Sequence, residues 1–252
     1  MTRKIIVVCV FITVFTFAKT IIADVTSDGV ADEIVTGLKT VVVKDGASGK
    51  VYTVGSEVEF LADVTVGDYF RPTRGLEIAI VTVPEEYETI VYGYRNKQFV
   101  EVSELLPGDI TFDQEGRLFG YETYRWQETE ASVYWPIIHS EGFLKPAPIV
   151  EESETTIVVV AGTTQEVEFI LPEQSMAVCV AATHDKDLVV FLQDEQGTLI
   201  KQGMIDDKVG FSGMMFAPDR AMFSLNFDNS QSATDKAVHY LIRQYSYPSM
   251  LK

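Results

Sequence analysis

The chain has 252 residues, 46% of them hydrophobic, and a formal net charge of -17 at pH 7. That is enough apolar material for a packed core in one large domain or two modest ones, and it excludes wholesale disorder. The acidic balance excludes nucleic acid and anionic headgroups as partners, whose phosphates it repels.

Arg3 and Lys4 open the chain, and Ile5 to Ala18 is apolar apart from Thr13 and Thr16. Ala18 and Ala23 are small residues at two cleavage points, so residues 1–23 have the layout of a secretory signal peptide. The apolar run is short for a membrane span and Lys19 interrupts it; an uncleaved N-terminal anchor is the rival reading. Removal of residues 1–23 takes away Arg3, Lys4 and Lys19 and no acid, so 20 basic residues become 17 and the charge moves from -17 to -20. The expected location is secreted, periplasmic or the lumen of the secretory pathway, with no membrane contact after cleavage. Cys9 leaves with the signal. Cys179, between Val178 and Val180, is then expected as a buried free thiol without a disulfide partner. With one Cys and three scattered His, a zinc cluster is excluded.

Ala31 to Leu38 has the composition for one or two helical turns, and Thr40 to Lys44 is a β-branched strand closed by Asp45-Gly46. Lys50 to Asp63, with Val58 and Phe60 alternating against Glu57 and Glu59, predicts a hairpin broken at Gly55. Asp68 to Gly75 is a loop that gathers Tyr69, Phe70, Arg71 and Arg74. Leu76 to Val83 is a near-continuous apolar strand ended by Pro84. Thr89–Arg95 and Gln98–Val102 flank an Asn96-Lys97 turn, and Ile110–Phe112 and Arg117–Trp126 flank Asp113-Gln114-Glu115-Gly116. Pro136 would confine a strand over Ser132–Ile138 to a sheet edge. Residues 24–145 therefore predict a β-rich N-terminal domain. Pro146, Pro148 and the acids Glu151, Glu152 and Glu154 predict a linker over 146–155.

From 156 to 247 eight candidate strands follow at short spacing: Thr156–Val160, Gln165–Leu171, Met176–Thr183, Asp187–Gln193, Thr198–Met204, Val209–Phe216, Met222–Asn229 and Ala237–Tyr245. The fold class is all-β: two β-rich domains, the C-terminal one an antiparallel jelly-roll-like β-sandwich.

Within that half, Ala161-Gly162 before a Glu-Val-Glu-Phe strand, Asp187-Leu188-Val189-Val190-Phe191 leading to Asp194-x-x-Gly197, and Phe223 to Ser230 leading to Lys236–Tyr240 resemble a GOLD domain, the lumenal β-sandwich of the p24 cargo-receptor family. The resemblance covers about residues 155–246 and implies a structural signature at Asp187, Asp194, Gly197, Asn229 and Ser230. It departs where p24 proteins carry the second Cys of a disulfide, since Asn226 stands there, and no coiled coil or C-terminal membrane helix follows. The Asp-Leu-Val-Val-Phe-Leu-Gln-Asp-x-x-Gly stretch is about as similar to the bacterial pre-peptidase C-terminal domain.

No nucleophile elbow, phosphate loop, dinucleotide fingerprint or His-Glu-x-x-His occurs; Gly210-Phe211-Ser212-Gly213 lacks the elbow spacing. His139, His184 and His239 are the candidates for a triad base. The acid pairs Glu85-Glu86, Glu151-Glu152 and Asp206-Asp207 read as solvated turns. Asp185, Asp187 and Asp194 could offer oxygens to Ca²⁺, though without the spacing of a calcium loop, and no other cofactor is expected. Tyr69, Phe70, Tyr87, Tyr92, Tyr94, Tyr121, Tyr124, Trp126, Tyr134 and Trp135 make the N-terminal half aromatic. The expected function is non-catalytic recognition of a protein or glycan partner, with the C-terminal sandwich as interaction module. The alternative is a hydrolase of polysaccharide or peptide with its site in the N-terminal domain.

Overall fold

The computed structural model describes residues 19–55, 61–70, 75–83 and 87–247. Residues 1–18, Val58, Phe60, Arg71, Arg74, Pro84, Glu85 and Glu86 lie outside them, together with the expectations that rest on those positions. The described chain is all-β, with antiparallel strands arranged in five sheets.

The first sheet holds β1 (Thr20–Ala23), β2 (Asp32–Thr36), β3 (Val41–Lys44) and β4 (Val51–Val54) in sequence order. The second holds β5 (Leu61–Gly67), β6 (Glu77–Thr82), β7 (Glu88–Arg95) and β8 (Gln98–Glu101), with β9 (Leu106–Pro107) on β7. They pack face to face over Val25, Ile34, Val41, Val43 and Val54 on one side and Val64, Ile78 and Ile80 on the other. Two local expectations are corrected. Residues 31–38 are strand rather than helix: Ile34 and Thr36 alternate inward, and the buried Asp32 carboxylate holds the flanking loops. It accepts from the backbone N–H groups of Val25, Thr26 and Gly46, each at 2.9 Å. Of the hairpin expected over residues 50–63, the described parts, β4 and the start of β5, belong to different sheets.

The third sheet is β10 (Asp109–Phe112), β11 (Leu118–Trp126), β12 (Thr129–Ser140) and β13 (Phe143–Pro146), again in sequence order. β12 is central, not an edge. It pairs with β11 up to Phe119↔Pro136 and with β13 from Ile137↔Pro146 onward. Pro136 stands where one partner hands over to the other, so its missing N–H interrupts neither ladder. On the inward face Trp135 lies flat against Gly120, where a Cβ would overlap the indole.

The last eight strands are β14 (Ile149–Val159), β15 (Thr164–Leu171), β16 (Ser175–Ala182), β17 (Leu188–Asp194), β18 (Leu199–Ile205), β19 (Phe211–Ala217), β20 (Ala221–Asp228) and β21 (Lys236–Ser246). Their sheets run β14-β21-β16-β19 and β15-β20-β17-β18. This interleaving of two Greek keys is the jelly-roll order. Most of the segment expected as a linker is strand: β14 pairs with β21 from Ile149↔Tyr245 to Val159↔Lys236. The acids Glu151, Glu152 and Glu154 are tolerated because this is an edge strand whose residues 149–156 are exposed on both faces.

β16 is buried along its whole length. Ala177, Cys179 and Ala181 face the jelly-roll core. Met176, Val178 and Val180 face the other way, into a core shared with Ala79, Val91, Phe119, Val133 and Trp135. Each such valine contributes roughly 1.5–3 kcal/mol by leaving water. β6 does the same between the first two cores, with Ile78 and Ile80 on one face and Ala79 on the other. One hydrophobic core therefore unites strands from both sides of residues 146–155. A near-continuous apolar run is what a strand buried on both faces requires.

Candidate functional site

At the rim of that shared core, side chains from both halves meet. On β11, Tyr124 and Trp126 are two residues apart and so share a face. The register puts them opposite Ala131 and Thr129, on the side that looks toward the jelly roll. Across the seam, Glu154 and Thr156 of β14 lie opposite Leu241 and His239 of β21.

The His239 imidazole lies parallel to the Trp126 ring, with centroids 5.2 Å apart and planes 2° apart. It is also parallel to Tyr124, at 6.1 Å and 6°. The exposed His184 adds a fourth ring, 5.8 Å from Trp126. Glu154 Oε1 sits 2.8 Å from the Tyr124 hydroxyl, which donates to it, and 2.9 Å from His239 Nε2. His239 Nδ1 is 3.0 Å from Thr156 Oγ1. A carboxylate only accepts, so the proton on Nε2 points at Glu154 in either charge state of the ring. The bonds from His239 and then Tyr124 hold the Glu154 carboxyl below the usual carboxylate range. Burial first, and then the bond to Glu154, push the Tyr124 phenol well up. One turn of the pleat away, Arg243 Nε donates to Glu152 Oε2. The arrangement is a partly open sheet of flat rings beside an ionised carboxylate, with a second carboxylate two residues along the same strand.

A groove of about 420 Å³ lies on the opposite face of the third sheet, between β12 and the strands β18 and β19. Glu130, Ser132, Tyr134, Lys201, Met204 and Ser212 line it. Glu130 is taken by Arg125, whose Nε lies 3.0 Å from its Oε1. The groove brings no second acid and no histidine to Ser212.

The other sequence candidates are placed as follows. Asp194 Oδ1 accepts from the N–H groups of Gln196 and Thr198, closing the turn that ends with Gly197 at φ 77°. Asp187 has φ 62°, and Asp185 Oδ2 accepts from Ala237 N. Asp194 thus closes a turn of its own, whereas Asp185 and Asp187 lie in the single connection before β17, and among the described residues no group of three or more His, Cys, Asp or Glu could hold a metal ion. Asn229 is buried, and its amide donates to the carbonyls of Val159 and Thr234 at 3.0 and 2.9 Å; Ser230 N donates to Asp228. Asp206 accepts from Lys208 and Val209 N–H groups in a turn. His139 meets the Phe70 ring edge-on at 4.6 Å. Tyr52, Tyr94 and Phe99 form an aromatic cluster of their own, and Tyr69 stacks on Phe112. Cys179 is fully buried, and burial pushes its thiol up.

Sequence reading named Tyr124, Trp126 and His239 singly and placed Glu154 in the linker. It did not bring them together, because 85 residues separate Glu154 from His239. The available signal was spacing: Tyr124 with Trp126 and Glu152 with Glu154 at two residues, each a shared strand face.

No family model matches the chain, and no curated protein matches it. Among solved structures it is similar to an exo-β-1,3-galactanase from Phanerochaete chrysosporium bound to galactose, at 8% identity and TM-score 0.33, over 84% of this chain and 65% of that one. It is also similar to a β-fructofuranosidase of glycoside hydrolase family 32 from Bombyx mori, at 9% identity and TM-score 0.27, over 91% and 77%. The chain thus spans about two thirds of the galactanase. Both neighbours are glycosidases, so the expectation of a non-catalytic protein-recognition role finds no support among them and is not carried forward. At such TM-scores the likeness assigns no residue, and the site rests on its own geometry.

Proposed function

We propose that the protein hydrolyses a polysaccharide laid across Tyr124, Trp126 and His239, with Glu154 beside the bond that is cleaved. The observation that carries this reading is the Glu154 carboxyl group, held by His239 and Tyr124 at the edge of three parallel rings. Flat aromatic faces with polar tips offer a sugar ring large contact area on its C–H face and leave its hydroxyls to neighbouring polar groups. Glu154 is suited to accept a proton from an attacking water, because its carboxylate form is the favoured one. Glu152 follows on the same face of the strand, its Cα about 7 Å from that of Glu154 by strand geometry. The proton donor to the leaving oxygen is then His239, in contact with Glu154, or Glu152, two residues along the strand. A chain with formal charge -17 favours a neutral or cationic polymer over an anionic one.

The test is release of reducing ends from a panel of neutral and amino-bearing polysaccharides. Wild type should release them, Glu154→Gln should lose at least about 100-fold in turnover while still binding, and Trp126→Ala should weaken binding chiefly. Binding without any release by wild type, or full turnover in Glu154→Gln, would sink the proposal. Glu152→Gln and His239→Asn, each assayed for its pH profile, identify the donor.

A further inference from the structure

We infer that the chain is processed at the Ala18–Lys19 peptide bond, so that the mature protein begins at Lys19. Of the two cleavage points that composition offers, the folded domain accepts one. Lys19 is already part of it. Its amide donates to Thr36 Oγ1 at 3.0 Å, and its carbonyl accepts from Thr36 N at 2.9 Å. Its ammonium donates to the Val64 carbonyl at 2.8 Å and to Asp63 Oδ1 at 2.9 Å. The next four residues are β1, paired from Thr20↔Val35 to Ala23↔Asp32. Ile21 and Ala23 pack on the first core.

Cleavage after Ala23 would remove this strand. It would strip the ladder from the outer side of β2 and uncover the apolar residues beneath Ile21, a core whose Val25, Ile34 and Val41 are fully buried. Cleavage after Ala18 keeps Lys19 and β1 with the fold. A second observation agrees. Peptidases that release signal sequences read small side chains at the last residue of the leader and two before it. Ala18 with Thr16 comes nearer to this than Ala23 with the larger, wholly apolar Ile21.

The step is hydrolysis. Water gives its hydroxyl to the Ala18 acyl carbon, the C–N bond breaks, and the nitrogen of Lys19 takes the protons to become an α-ammonium. That ammonium keeps the donor role toward Thr36 Oγ1 that the amide has at 3.0 Å.

The experiment expresses the full chain in a host with a secretory pathway and determines the N-terminus of the exported protein by intact mass and N-terminal sequencing. Lys19-Thr20-Ile21 is the expected start. A start at Asp24, or recovery of the exported protein with Met1 retained, overturns the inference. Two variants read the processing step itself, before folding intervenes. Ala18→Arg should leave the precursor uncut, whereas Ala23→Val should be cut like wild type; the reverse pattern refutes the assignment. A chain made to start at Asp24 should melt below one that starts at Lys19, and equal melting temperatures would remove the structural argument.

Discussion

Replacement of Trp135 by Ala tests whether the two halves of the chain are one cooperative unit. Trp135 is 4% exposed and belongs to the core that joins β6, β7, β11 and β12 to β16 and β21. Its ring lies where a Cβ on Gly120 or Gly108 would collide with it, so two glycines leave room for the indole and nothing else. Truncation therefore opens a cavity that neither glycine can fill. A buried Trp→Ala change costs about 3–5 kcal/mol. For a chain of this size each kcal/mol lowers the melting temperature by about 2–4 °C, so the expected drop is about 6–20 °C. Trp126, the other of the two tryptophans, sits across the seam against His239 and His184 and remains as the only indole reporter. Calorimetry and Trp126 fluorescence should show one transition, moved by the same amount in both. Two transitions, with the one reported by the jelly-roll side unmoved, would refute a shared core as the link between the halves.

Other outcomes follow from single sites. Asp32→Ala should lower stability by about 2–6 kcal/mol in urea unfolding, since it strands the buried backbone N–H donors of Val25 and Thr26 at about 1–3 kcal/mol each; a loss under about 1 kcal/mol would show that water replaces the carboxylate. Cys179 should resist a thiol reagent in the native protein and react on unfolding, because its thiol is buried and its pKa raised; rapid native labelling would contradict the packing of β16. Glu154 has a folded pKa below its ordinary 4.5. It therefore adds stability that is present above about pH 4.5 and lost as the pH falls through the lowered value. Glu154→Gln should flatten the acid limb of a stability–pH curve, and an unchanged limb would show that the His239 and Tyr124 bonds do not persist in solution.

How much of this was legible beforehand depends on the range of the interaction. Most strands of the C-terminal half were readable because they are short apolar or alternating runs closed by their own turn chemistry. Asp194 and Gly197 close one such turn, and the hairpin around Asn96 and Lys97, at φ 52° and 66°, is equally local. Where pattern and context disagreed, context won. Residues 31–38 have mixed propensity, and the Asp32 carboxylate with its three backbone donors decides for strand. Pro136 reads as an edge residue until the change of partner within β12 is seen. The acids at 151–154 read as linker until β21 is beside them.

By itself the sequence determined that the chain is all-β and that most of the last eight strands alternate or run apolar as sandwich strands do. These follow from local period, turn residues and composition. Tertiary structure alone decided that β6 and β16 are buried on both faces, that one core joins the halves, and that Tyr124, Trp126, Glu154 and His239 converge. The reason is physical. A strand's own period tells which residues share a face, but which surface covers that face is settled only when sheets far apart in sequence bury their apolar sides against each other.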